Sequence, residues 1–238
     1  MTARFLLDDE PVAFAAGQTI LQAAQAAGKY IPHLCWLPGF RPHGSCKLCT
    51  VRIDGRLVSA CTALAVSGQR VENRSRELDA KRVTLLQMLF VEGNHFCPGC
   101  EVSGNCKLQA TAYEMGMLSS QFEHFFPDRP LDASHPDMLL EFNRCILCEL
   151  CVQASRDIDR KQVFALTGRG LEARLIVNSD SGKLGDSTFA ANDRAASVCP
   201  VGVILRKRVG FATPLGSRRY DTAPISQRPD EPGGESVS

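Results

Sequence analysis

Gly44-Ser-Cys-Lys-Leu-Cys-Thr-Val-Arg-Ile-Asp-Gly-Arg-Leu-Val-Ser59 places two cysteines three residues apart and then runs straight into two alternating apolar segments joined by Asp54-Gly55. An Asp-Gly pair between alternating runs is a strong hairpin signal, because both turn residues must accept a positive φ. Upstream, Arg4 to Leu7 and Pro11 to Phe14 read as short strands. Gln18-Thr19 opens an alanine-rich helix that stops at Gly28, where a glycine suits the residue just past a helix end. Two strands, a helix, a cysteine-bearing loop and a hairpin make a small mixed module, and Cys35 and Cys61 complete its set with Cys46 and Cys49.

The remaining cysteines fall into two further sets. One is His95, Cys97, Cys100 and Cys106; the other is Cys145, Cys148, Cys151 and Cys199, the last followed by Pro200. The chain has 11 cysteines, and none is left over. Each iron–sulfur cluster takes four protein ligands, thiolates with an occasional histidine, so the count points to three clusters and to electron transfer.

Composition sets the frame. The 238 residues are 44% hydrophobic and 22% charged with a net charge of +1, an ordinary globular balance with no basic field to attract nucleic acid or a membrane surface. The longest apolar stretch, near Thr84 to Val91, is far shorter than a bilayer span. MTARFLLDDEP lacks the apolar core of a signal peptide, so a cytoplasmic location is expected. Cysteines stay reduced there, and motif-spaced ones are better metal ligands than disulfide partners. Sets spaced 40 to 50 residues apart suggest modules that each fold around a metal: residues 1–78, 79–118 and 137–213, with a connecting segment at 119–136 and a Pro-, Ser- and Gly-rich flexible tail at 214–238.

Each set has a competing reading. Zinc is the rival for Cys35, Cys46, Cys49 and Cys61, but a zinc ribbon needs two close cysteine pairs and this set has one. A lone loop histidine is usually a surface residue. His95 gains weight because Cys97, Cys100 and Cys106 are one ligand short, and His33, His43, His124 and His135 are the reserves. An imidazole in place of a thiolate removes a negative charge and raises the potential. In the third set, Arg144-Cys-Ile-Leu-Cys-Glu-Leu-Cys151 with a distant Cys-Pro is the bacterial ferredoxin spacing. With no second CxxCxxC, Cys199 closes the same [4Fe–4S] cube.

Gly168-Arg-Gly-Leu-Glu-Ala173 matches a GxGxxA dinucleotide fingerprint in letters only. The fingerprint must open a helix, whereas Ala173 to Val177 reads as a strand after the strand-like Val163 to Leu166. Arg206-Lys-Arg208 and Arg218-Arg219 are short basic runs suited to a solvated face or a partner contact.

The first module resembles the β-grasp of plant-type ferredoxins as far as about Asn73, with ten residues instead of four between Cys35 and Cys46. That longer loop is similar to the version in respiratory complex I and multi-cluster hydrogenases. His95-Phe-Cys97 through Cys106-Lys-Leu-Gln109 resembles the histidine-containing [4Fe–4S] site of complex I's largest peripheral subunit, with one residue rather than three between histidine and cysteine. In order and length the chain resembles the small diaphorase subunit of cytoplasmic NAD-reducing [NiFe] hydrogenases. The resemblance implies an α+β fold carrying one [2Fe–2S] and two [4Fe–4S] clusters, with no catalytic residue of its own. It further implies a heteromer in which FMN and NAD belong to a larger diaphorase subunit and Ni-Fe to a hydrogenase small and large pair. A relay subunit of an NAD-dependent formate dehydrogenase is the alternative, and a zinc-binding scaffold protein is the alternative of another class.

Overall fold

The computed structural model describes residues 3–228 and 230. The first sheet is built from β1 (Arg4–Leu7), β2 (Glu10–Ala13), β3 (Thr50–Ile53), β4 (Arg56–Ser59) and β5 (Arg70–Glu72) in the order β2-β1-β5-β3-β4. The β1–β5 pair is parallel and the other pairs are antiparallel. Asp54 and Gly55 have φ of 48° and 79°, so the hairpin turn is of the left-handed kind their side chains tolerate. Asp8-Asp9 makes the same type of turn between β1 and β2, with φ of 49° and 66°. Helix α1 (Ile20–Ala26) starts in a capping box between Thr19 and Gln22 and ends with Gly28 at φ 70°. It buries Ile20, Leu21, Ala23 and Ala24 against Phe5, Val12, Val51 and Val71.

Helix α2 (Arg76–Glu92) begins earlier than the apolar spacing from Asp79 to Val91 suggests, because the Ser75 side chain caps it by accepting from the Leu78 amide. Glu77 and Asp79 in its first turn suit the helix dipole. After the loop that carries the second cysteine set comes α3 (Lys107–Glu114). The third unit has a sheet of β6 (Leu131–Asp132), β7 (Met138–Glu141) and β10 (Ile204–Arg206) in the order β10-β7-β6, the short helix α4 (Leu150–Gln153), and a hairpin of β8 (Phe164–Thr167) with β9 (Arg174–Val177). Gly168-Arg-Gly170 turns this hairpin, with Phe164 facing Val177, and opens no dinucleotide-binding helix. A Cβ on Gly168 would sit 2.1 Å from the Glu172 carbonyl oxygen. The fold is α+β, with ferredoxin-type units at both ends.

Two regions differ from the sequence expectation. The segment 119–136 is more than a connector: β6 pairs Leu131 with Glu141, the Phe125 amide donates to the Val91 carbonyl, and Asn143 clasps the Arg129 backbone through both ends of its amide. The stretch expected to be flexible from 214 onward is anchored at several points among its described residues. Arg218 pairs with Asp221 and donates to the Ser103 carbonyl, Ile225 is buried, and Asp230 pairs with Lys107 and His33. Single anchors among polar residues leave no periodic signal, so composition alone reads such a stretch as loose. Residues 229 and 231–238 lie outside the described residues. The basic Arg206-Lys-Arg208 run also serves the fold, since Lys207 Nζ donates to the carbonyls of Ala133 and His135.

Cys49 and Cys61 lie in the core of the first sheet, but Cys35 does not share it. One apolar cluster takes in Leu34, Cys35, Phe40 and Leu48 from the first unit, Leu86 and Leu108 from α2 and α3, and Cys148, Leu150 and Cys151 from the third.

Candidate iron–sulfur centres

The first set arrives as two thiol pairs. The Sγ atoms of Cys35 and Cys46 stand 3.4 Å apart, and Cys49 is similarly matched with Cys61 across the β3–β4 hairpin. Sharing a proton with Cys46 pulls Cys35 down, and the same bond together with burial pushes Cys46 up. Two pairs of adjacent thiols fit a two-iron cluster with two thiolates on each iron. Lys47 holds a φ of 56° between Cys46 and Cys49, and Gly44 one of 70°. Left-handed residues interleaved with ordinary ones aim successive amides inward, the backbone concavity that receives anionic iron–sulfur sites.

Buried Arg82 braces this set from behind. Only 1% of its side chain is exposed, and it donates to the carbonyls of Leu48, Thr50 and Asn73, to the Asn73 side chain and to Asp79. Leu48 and Thr50 flank Cys49, so the guanidinium fixes the backbone on both sides of that thiol. Nothing in the cysteine pattern announces it; Arg82 is a charged residue among the apolar positions of α2. The long Cys35–Cys46 loop also has a use. Its Arg41 amide donates to the Gln153 side chain at the end of α4, and Arg194 lies over the Phe40 ring at 6.0 Å. The extra residues thus reach the third unit.

The third set is more enclosed than the second, whose three cysteines are all part-buried. Cys148 and Cys151 are each 8% exposed, and burial pushes Cys145 up to about 11. Each thiol nevertheless accepts from a backbone amide: Leu147 for Cys145, Leu150 for Cys148, Val152 for Cys151, and Val201, Val203 and Ile204 for Cys199. Amides aimed at sulfur favour the thiolate and an electron-rich cluster beside it. The turn needs Leu147 and Glu149 at φ of 53° and 60°, a left-handed backbone costing a non-glycine residue about 1 kcal/mol or more.

In the second set Cys100 lies near enough to Cys97 and Cys106 to oppose the ionisation of both, and burial takes Cys106 to about 12. His95 Nε2 is buried without a hydrogen-bond partner. An unpaired buried nitrogen is costly, and metal ligation is a use that would satisfy it. Burial foremost, then Arg144 and Arg129, hold this imidazole at about 4, neutral and free to give its lone pair. Gly93 makes room for it, since a Cβ there would fall 2.6 Å from Nε2. Two reserve histidines have other partners: His33 bonds to the Ile31 carbonyl and Asp230, and His135 Nδ1 accepts from the Asp137 amide. Both nitrogens of His43 are buried without partners, close enough to Cys35 to favour its thiolate. Among the described residues no three His, Cys, Asp or Glu side chains gather tightly enough for a single metal ion.

The sets adjoin one another. Cys35 is near enough to Cys148 to oppose its ionisation. The third and second sets meet where the Lys107 amide donates to the Pro200 carbonyl and the Asn94 amide to that of Asn143.

Comparison with known proteins follows the same divisions. Residues 2–76 match the 2Fe-2S iron-sulfur cluster binding domain family, residues 82–121 the NADH-ubiquinone oxidoreductase-G iron-sulfur binding region, and residues 139–205 the 4Fe-4S single cluster domain family. The gamma subunit of the NAD-reducing hydrogenase HoxS of Cupriavidus necator is 36% identical over 229 residues, 96% of this chain and 97% of that one. The chain belongs to this hydrogenase gamma-subunit family. A chain in the crystal structure of an NAD+-reducing [NiFe]-hydrogenase in the H2-reduced state is 50% identical to this family member and superposes over the whole of both chains with a TM-score of 0.94. The alpha subunit of a Geobacter sulfurreducens NADPH-Fe(3+) oxidoreductase is 32% identical over 207 residues, 86% of this chain but 24% of that longer one. The chain is an iron–sulfur electron-relay subunit of an oxidoreductase, carrying 2Fe-2S and 4Fe-4S clusters. No helix among the described residues is long and apolar enough to cross a membrane.

Proposed function

We propose that Cys35, Cys46, Cys49 and Cys61 hold the [2Fe–2S] cluster, His95, Cys97, Cys100 and Cys106 one [4Fe–4S] cluster, and Cys145, Cys148, Cys151 and Cys199 the other. The clusters supply reversible one-electron chemistry. The protein's part is to keep water away, aim amides at sulfur and hold the three ligand sets side by side. The observation that carries this reading is the apolar cluster shared by Cys35 and Cys148, with the second set bonded to the third. That order supports a relay from the [2Fe–2S] site through the Cys145 set to the His95 set.

The relay's ends lie in other subunits: a larger flavin- and NAD-binding diaphorase chain on one side and the small and large chains of a [NiFe] hydrogenase on the other, in a cytoplasmic complex. Full-length similarity to NAD-reducing hydrogenase chains favours this over a formate dehydrogenase. The test is anaerobic purification with the subunits that accompany the chain. About ten irons per chain, from one two-iron and two four-iron clusters, and hydrogen-dependent NAD reduction are expected. Stoichiometric zinc with little sulfide would overturn the ligand assignment, and co-purification with a molybdenum subunit would overturn the hydrogenase partner.

A further inference from the structure

Arg144 immediately precedes Cys145, but its side chain leaves the third unit and crosses to the second. Only 16% of that side chain is exposed; Nη1 lies 2.6 Å from Glu101 Oε2 and 3.3 Å from the Gly202 carbonyl oxygen. The crossing point is tight. A Cβ on Gly202 would stand 3.1 Å from Arg144 Nη1 and 3.3 Å from Cys100 Sγ, so the guanidinium and that thiol meet over the same bare backbone. The root of Arg144 is equally fixed, because the carbonyl of its neighbour Asn143 accepts from the Asn94 amide beside His95 at 2.8 Å. The field reaches the site: after burial, Arg144 is the foremost charge opposing protonation of His95, and it also favours the Cys97 thiolate.

We propose that Arg144 is a positioning residue that places a positive charge beside Cys100 and tilts the electron equilibrium toward the His95-ligated cluster, with Glu101 setting how much of that charge is felt. A nearby cation stabilises the form of a cluster that has gained an electron, and a half-buried one is poorly screened. One electron leaves the Cys145-set cluster as one arrives at the His95-set cluster. Arg144 enters neither bond nor proton transfer; it biases the equilibrium. Arg129 also acts on both His95 and Cys145, so it offers less discrimination between the two sites.

The inference rests on the ligand sets proposed above, and the test separates the two. Redox titrations of the anaerobically purified holo-complex, followed by electron paramagnetic resonance, would compare wild type with Arg144→Met, Glu101→Gln and Arg144→Lys. Arg144→Met should lower the potential of the His95-set cluster and Glu101→Gln should raise it, each by about tenfold in the one-electron equilibrium, about 59 mV. Arg144→Lys should stay near wild type, and the [2Fe–2S] potential should not move in any variant. A role limited to joining the units would move Arg144→Met and Glu101→Gln in the same direction, since each breaks the same ion pair. Shifts of one sign, or none, overturn the inference. If Arg144→Met fails to keep both four-iron clusters, Glu101→Gln, which leaves the arginine in place, decides by its sign. A wild-type complex lacking two four-iron signals would overturn the ligand sets themselves.

Discussion

The two proposed four-iron sites stand side by side and are built from opposite materials. The Cys145 set sits among Leu150, Val163, Val198, Val201 and Ile204, all buried, and its polar company is mainly backbone amides. The His95 set is bordered by Arg144, Glu101 and Arg129, has only part-buried cysteines, and exchanges one thiolate for an imidazole. An apolar wall disfavours added charge on a cluster, whereas a cation and a neutral ligand favour an added electron. On the proposed ligand sets, adjacent sites should differ in potential without distance or fold having to differ.

Cys199→Ala attacks the enclosed side of the contrast and should have the largest effect. One four-iron signal should vanish while the [2Fe–2S] spectrum remains, since the third set loses the proposed ligand that lies just before β10. Survival of both four-iron signals in iron-quantified spectra would mean that the sets are grouped wrongly.

Arg82→Met asks how far the [2Fe–2S] unit depends on α2. The variant strands the carbonyls on both sides of Cys49, each buried acceptor costing roughly 1–3 kcal/mol. Thermal denaturation of the reconstituted chain should show a loss of about 3 kcal/mol or more, with the [2Fe–2S] signal weakening before the others. Unchanged melting would show that water replaces the guanidinium at no cost.

Asp230→Asn should have a smaller effect. Asp230 Oδ2 lies 2.6 Å from His33 Nε2 and 2.7 Å from Lys107 Nζ, with its side chain 9% exposed. Burial alone would raise its pKa, but Lys107 first and then His33 overcome this and hold it well below the usual carboxylate range. Loss of the charge leaves Lys107 facing a neutral amide in place of a carboxylate, and weakening this hydrogen bond to a charged group costs about 2 kcal/mol. It should appear in denaturant unfolding as a lower midpoint, with all three clusters still loaded at neutral pH.

His95→Cys sharpens the comparison most finely, for it changes one ligand's charge and little else. The cluster should persist at a lower potential, while His95→Ala should leave it labile or short of an iron. If spectroelectrochemistry finds neither change, the buried Nε2 is not a ligand, and the partnerless His43 becomes the next residue to test.

Much of this was legible in the chain. Cysteine spacing and turn residues carry the ferredoxin-type units, since Asp54-Gly55, Thr19 and Gly28 act on their immediate neighbours. The neighbourhood of the sites was not. Arg82, Arg144 and Asp230 reach across 30 to 200 residues of sequence to carbonyls and charges, and no local pattern encodes such a distance. The left-handed backbone at Lys47, Leu147 and Glu149 was equally hidden, because none of these residue types favours it and only the cysteines on either side account for it.

Asp230 has one more consequence, and it concerns time. It clasps Lys107, next to Cys106, to His33, two residues before Cys35, and it follows every proposed ligand in the chain. Translation runs from the N-terminus, so this clasp can close only after Cys199 has been made. Until then the segments bearing Cys35 and Cys106 lack one of their ties, which leaves a nascent chain more open to whatever delivers iron and sulfide than the finished protein is.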